Sequence, residues 1–191
     1  MVGKTFSVGV VGHRDLGSLE QQTYSHFCCY RLLSELKRKY SCVVAVSALA
    51  AGADSLLAQS ALSLDITLES IIPFEKFSSD FIEELDYERY MTLRSYSYSV
   101  KQVNFVERSH SAYKRSMEWL VFKSHIVVAM WNGRKEGDLG GTWQAVLLSQ
   151  KMRKTLVHID SQAKTITCYC YKEHTYQKFE KLSISQAMKH L

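Results

Sequence analysis

Short apolar, β-branched runs alternate along this chain with longer stretches in which apolar residues recur at helical spacing. Phe6 to Val11 reads as a buried strand, ended by Gly12-His13-Arg14-Asp15. A helical pattern follows from about Ser18 to Tyr40, with Phe27, Tyr30, Leu33 and Leu36 marking its apolar face. Val43 to Val46 is a second strand, and Asp54 opens a helix through Leu62 with Leu57, Ala58 and Ala61 on one side. Ile66 to Ile72 is a third strand, stopped by Pro73. Phe77 to about Met91 predicts a helix, and Val103 to Val106 a short strand; Tyr96 and Tyr98 fit neither pattern. Tyr113, Met117, Leu120, Val121 and Ser124 trace another helix face, leading into a strand over Ile126 to Trp131. A Gly-rich loop, a helix from about Thr142 to Lys151, and a strand at Leu156 to Asp160 come next. The tail predicts an antiparallel edge strand over Thr165 to Tyr171 and a last helix from about Gln177.

Strands alternating with helices require crossover connections. The expected fold class is therefore α/β: a Rossmann-like, mainly parallel sheet with helices on both faces, formed by residues 1–191 as a single domain. In such sheets ligands sit beyond the carboxyl ends of the strands, so the segments just after strands are where chemistry is expected.

Composition narrows this only modestly. The 191 residues are 46% hydrophobic and 23% charged, ordinary values for a folded protein. One proline and the absence of repeats or low-complexity stretches leave no linker to divide the chain. The net charge of +5 suits an anionic ligand. The basic residues are spread out apart from 37–39 and 151–154, two runs expected at helix C-termini, so nucleic acid is disfavoured as a partner. No stretch is apolar enough to cross a bilayer, and the amino terminus lacks the apolar core of a signal peptide. Five cysteines without metal spacing point to a reducing, cytoplasmic setting and no disulfide framework. The seven histidines form no ligand pair, and neither a metal site nor a cofactor is expected.

Candidate chemistry falls at four post-strand segments. Gly140-Gly141-Thr142 makes the strongest phosphate case: glycines let backbone approach an anion, and the helix that starts there offers free N–H groups at its positive end. A simple helix N-cap is the plainer reading of the same residues. Ser47, Ala48, Leu49, Gly52 and Asp54 form a second loop-to-helix junction, where small residues leave room for a ligand. Asp54 serves there either as a cap or as an acceptor for a ligand hydroxyl. After the first strand, Gly12, His13 and Arg14 offer a cation and a hydrogen-bond donor to a phosphate. Pro73 and Phe74 follow the third strand, and Trp131, Asn132 and Gly133 the Ile126 strand; Phe74 and Trp131 offer flat faces to a base or else belong to the core. Tyr113 and Arg115 begin a helix whose start is expected away from the rim, unless a neighbouring loop or a second subunit brings them in.

Taken together, these residues resemble the SLOG superfamily, which includes LOG-type phosphoribohydrolases, DprA-like proteins and nucleotide-sensing domains of bacterial defence systems. Val46 to Asp54, with Ala58 and Ala61-Leu62, looks like the Ser-Gly-Leu-Ala-x-Gly-x-Asp segment of DprA-like folds. Val8 to Arg14 looks like the group's first-strand motif, and Gly140-Gly141-Thr142 stands where the family has its phosphate-binding Gly-Gly-Thr. The agreement in order spans about residues 6 to 160. The resemblance implies binding or sensing of a nucleotide or nucleotide-derived ligand, cyclic or of ADP-ribose type, in a defence pathway. It also implies a homo-oligomer and an effector partner protein. A nucleotide N-glycosidic hydrolase and a single-strand nucleic-acid binder are the alternatives. LOG-type enzymes carry Gly-Gly-x-Gly-Thr-x-x-Glu, whereas Gln144 and Ala145 follow Thr142 and Trp143 here. Glutamine is neither a general acid nor a base, so no catalytic residue is assigned and binding is favoured over turnover. Asp54, Glu118 and Asp138 remain as carboxylates for the enzymatic reading.

Overall fold

The computed structural model describes residues 5–134, 141–172 and 175–190. Eight strands form one sheet: β1 (Phe6–Gly12), β2 (Val43–Ser47), β3 (Thr67–Ile72), β4 (Ser99–Gln102), β5 (Ile126–Met130), β6 (Thr155–Asp160), β7 (Thr165–Lys172) and β8 (Thr175–Phe179). Their order is β4-β3-β2-β1-β5-β6-β7-β8. The pairs from β4 through β6 are parallel, and β7 and β8 are antiparallel additions. The expected α/β, Rossmann-like architecture is thus observed. Strand order reverses at β1, with β2 on one side and β5 on the other, so this is the switch point where a crevice opens.

One helical layer comprises α1 (Leu19–Lys39), α2 (Ala53–Leu62), α3 (Glu84–Ser95) and α6 (Ile184–Ala187); the other comprises α4 (His110–Lys123) and α5 (Thr142–Lys151). Ser18 caps α1 in a reciprocal box with Gln21, and three cations in the last turn complement the helix dipole. The face of α1 differs from the expected one. Phe27 and Tyr30 are exposed, and Cys28, Cys29, Leu32, Leu33 and Leu36 pack on the sheet. Leu57, Ala58 and Ala61 of α2 are fully buried as expected, and the small alanines let that helix lie close to β1 and β2.

Three elements depart from the sequence pattern. The segment expected as one helix over Phe77 to Met91 is a 3₁₀ turn, Phe77–Asp80, then an extended link, then α3. Phe77 is pulled into the core among Phe74, Phe81 and Tyr90, and the chain must break to bury it. The strand expected at Val103–Val106 lies instead at Ser99–Gln102, opposite Glu69–Ile72. Tyr98 leads into it by donating its N–H to Leu68 O (2.8 Å), and Val103 and Phe105 form a turn beyond it. Finally, Gln177 lies in β8 rather than in a helix, so β7 is not an edge. No described helix is long and apolar enough to cross a membrane.

Candidate functional site

A cleft of about 720 Å³ opens at the carboxyl rim, on the α4 side of β1. Its floor is Val10 and Val11; Met117 and Leu120 of α4 form one wall, and the β1, β2 and β3 exits form the other. Gly12, Arg14, Ala48, Asp54, Pro73, Gly141 and Thr142, expected from sequence as site residues, all line this space. Gly140 and Asp138 lie outside the described residues.

Two glycines bring these segments together. A Cβ on Gly12 would stand 2.4 Å from Ala53 Cβ and 2.5 Å from Met130 O, so only glycine lets β1 end against both α2 and β5. Gly52 has φ 77°, and a Cβ there would be 2.2 Å from Arg14 O and 2.4 Å from His13 O. Ala53 N–H donates to His13 O (3.1 Å), so the Arg14 loop and the start of α2 form one joined unit. Gly52 is thus structural and does not line the cleft. Ser47 is also buried: its hydroxyl donates to Asp54 O and accepts from Leu49 N–H, both at 3.0 Å. Leu49 is buried with φ 61° and turns this loop.

Phe74 packs edge-on against Phe77 and Tyr113 and presents no stacking face to the cleft. Trp131 is stacked on Trp143 with a 5.7 Å ring separation and borders a separate hollow of about 270 Å³, with His13 and Asn132. His13 Nε2 accepts a long bond from Asn132 N–H (3.5 Å). Gly133 (φ 76°) turns the chain beside His158 and lines neither space. The structure therefore divides the sequence candidates between two neighbouring depressions on the same rim.

The electrostatic centre of the cleft wall is Asp80, whose side chain is 1% exposed. It accepts a hydrogen bond from Tyr113 Oη (2.5 Å) and another from Arg14, and its Oδ1 lies 3.4 Å from Arg108 Nε without a hydrogen bond. Arg14 also donates to Tyr113 Oη (3.2 Å). Burial opposes the Arg14 charge, but the bond and charge of Asp80 overcome it and raise the guanidinium pKa. Burial, then Asp80, push the Tyr113 hydroxyl up to about 12, so it stays a donor. Crowding by protein pushes the Asp54 carboxyl up to about 7, against the Ala50 N–H bond (3.4 Å) and the Arg14 charge.

Two helix N-termini face the same space. Ser109 caps α4 through Ala112 N–H (3.1 Å), and Ser109 and His110 line the cleft. Gly141 is the N-cap of α5, and Gly141 and Thr142 line the cleft at the positive end of that helix. Tyr113 belongs to the cleft, contrary to expectation. A helix leading into a parallel strand runs antiparallel to it, so its start stands at the rim. Arg115 points elsewhere, over Trp119 and toward Glu118 (3.5 Å). Sequence reasoning missed Asp80, Arg108, Ser109 and His110. The signal was present: correct placement of β4 makes residues 103–109 a post-strand loop.

No protein-family model and no curated protein matches the chain. Among solved structures it is similar to DNA processing protein A from Streptococcus pneumoniae, at 14% identity and a TM-score of 0.60 over 82% of this chain and 50% of that one. The Helicobacter pylori DNA processing protein A, whose single-stranded DNA binding mode was the subject of its structure, gives 17% and 0.56, over 81% and 65%. A molybdenum cofactor binding protein from Rippkaea orientalis gives 15% and 0.50, over 84% and 82%. The chain thus spans less than two thirds of either DNA processing protein. These likenesses establish the fold: a Rossmann-like α/β sheet.

Proposed function

We propose that the cleft binds a nucleotide or nucleotide-derived small molecule and that the chain acts as a ligand-sensing domain. The observation that carries this reading is the convergence, in one space, of Arg14, Arg108 and the N-termini of α4 and α5 above a floor of Val10 and Val11. Positive ends and guanidinium groups hold phosphate, while Pro73, Phe77 and Met117 offer an apolar wall to a base. The paired Asp80 keeps the arginines in place before a ligand arrives. In this reading residues 1–191 act as a single cytoplasmic domain. The chain passes its bound state to an effector partner or to further copies of itself, as in a defence pathway.

The test is native mass spectrometry of protein purified from its source cells, followed by calorimetry with a nucleotide panel. A retained nucleotide, and calorimetric affinity for it, is expected. Binding of nucleosides and nucleotides with equal weakness would refute the reading.

Asp54 gives the hydrolase reading one supporting observation: a cleft carboxyl near neutral pKa is poised for proton transfer. That reading requires release of free base from nucleoside monophosphates, lost in Asp54→Asn. Binding without turnover leaves the sensor reading alone.

A further inference from the structure

Exposed apolar side chains gather at one edge of the molecule. Thirteen large hydrophobic residues are exposed among those described, and eight of them lie between residues 82 and 106, the stretch that builds α3 and β4. Scattered singly such residues are ordinary; gathered on neighbouring elements they mark a surface that another body covers. β4 ends the described sheet, with β3 on one side and no described strand on the other. Val100 within it is 40% exposed, and Tyr98, which leads into it, is 82% exposed. Such an edge is a template for further strand pairing. α3 runs into this strand through residues 96–98 and is held from one side: of its twelve residues Tyr90 and Leu93 are buried, while Leu85, Tyr87 and Met91 are exposed.

The charges of this stretch indicate what covers it. The chain as a whole carries +5, which keeps copies apart, but residues 82–106 hold four acids and three bases. The two signs are also separated along the chain: Glu83, Glu84, Asp86 and Glu88 come first, and Arg89, Arg94 and Lys101 follow. Asp86 is paired with Arg89 (2.6 Å), whereas Glu84, Glu88 and Arg94 are exposed and form no ion pair among the described residues. A surface that is acidic at one end and basic at the other complements itself after a half-turn.

One axis serves both elements. A twofold axis normal to the sheet beside β4 sets β4 antiparallel to its copy and reverses α3 against its copy in the same helical layer. Back from Ser95 to Met91 the helix climbs about 6 Å, and from Ser99 to the middle of β4 the strand climbs about 5 Å. Met91 therefore stands roughly level with the centre of β4, where the axis passes, and the acidic start of one α3 comes beside the Arg94 end of the other.

We propose that two copies of this chain associate through this edge, β4 against β4 and α3 against α3, into a dimer with one continuous sheet across it. A strongly acidic or basic partner fits less well, because the surface carries both signs and little net charge. The interface gives a place to the self-association included in the sensing reading, but it does not rest on a ligand in the cleft.

The experiment is sedimentation equilibrium of the full chain, with no nucleotide added, from about 1 to 100 μM. The mass should rise to twice that of one chain. Met91→Glu combined with Val100→Glu, both at exposed positions, should raise the dissociation constant about 30-fold or more with an unchanged circular dichroism spectrum. Phe122→Glu, at an exposed apolar position on α4, should leave the constant within about 2-fold. In a Cys42→Ser background, Met91→Cys should be linked to its own copy by a short bismaleimide, because a residue near a twofold axis meets itself; Phe122→Cys should not. Three results would each overturn the proposal: a monomer at the highest concentration, a dimer indifferent to the Met91 and Val100 changes in folded protein, or linkage through Phe122 in place of Met91. Each leaves the nucleotide affinity of the cleft, read by calorimetry, as a separate question.

Discussion

Asp80 does at residue scale what no single motif does: it ties the β1 exit, the 3₁₀ turn and α4 into one wall. Asp80→Asn leaves Arg14 and Arg108 without their counter-charge. Because Arg14 is 43% exposed, water screens part of the loss, and a destabilisation of about 1–2 kcal/mol is expected in urea denaturation. An unchanged midpoint would show that the arginines are held by other contacts. Arg14→Ala should weaken phosphorylated ligands by about 10- to 100-fold while leaving nucleoside cores nearly unaffected, read by calorimetry. Asp54 carries the pH dependence. Its folded pKa, raised to about 7, lies above the value near 4 of an unfolded aspartate. The folded state therefore binds the extra proton between those values, and stability present below pH 4 is lost as pH rises through 7. Anionic ligands should correspondingly bind more tightly at pH 6 than at pH 8. Asp54→Asn should flatten both trends; a wild-type profile in that variant would assign the titration elsewhere.

At the scale of elements, α5 and the Gly52 junction make opposite predictions. Gly141→Asp places a carboxylate at the positive start of a helix, which favours the helix itself by about 0.5 kcal/mol yet repels a phosphate there. Ligand binding should vanish in a protein that melts no lower than wild type; retained affinity would remove this helix from the anion site. Gly52→Ala should instead cost at least about 2 kcal/mol, because its φ of 77° and its contact with the Arg14 carbonyl leave a methyl no space. These elements were legible in sequence to different degrees, for physical reasons. The central strands were plain because both their faces are buried, so each is a continuous apolar run. Residues 77–106 were not, because aromatic side chains there fill the core from turns. Phe77 and Phe105 carry strong helix or strand propensity but are placed by tertiary packing. That displacement hid β4, and with it the loop bearing Arg108 and Ser109. Phe74 and Trp131 were ambiguous for a related cause: a flat ring serves a ligand and a core equally well until its neighbours are known.

For the molecule as a whole, the parallel sheet explains why distant stretches of sequence share one rim. The exits of β1, β2 and β3 and the starts of α4 and α5 converge because every crossover returns the chain to the same end. Ligand binding should therefore stabilise the entire fold. A nucleotide at 100 times its dissociation constant is expected to add about 2.7 kcal/mol, measurable as a concentration-dependent rise in melting temperature. No rise with the nucleotide found by native mass spectrometry would place that molecule on the unfolded or a non-native form.

The joint at Gly52 has a mechanical consequence. Since the backbone of His13 and Arg14 abuts the first residues of α2 with no side chain between them, neither part has slack. Any shift of the Arg14 backbone would therefore be felt at the start of α2, which packs against α3. Gly52 is thus the hinge point at which the rim and the helical layer behind it are locked to one another.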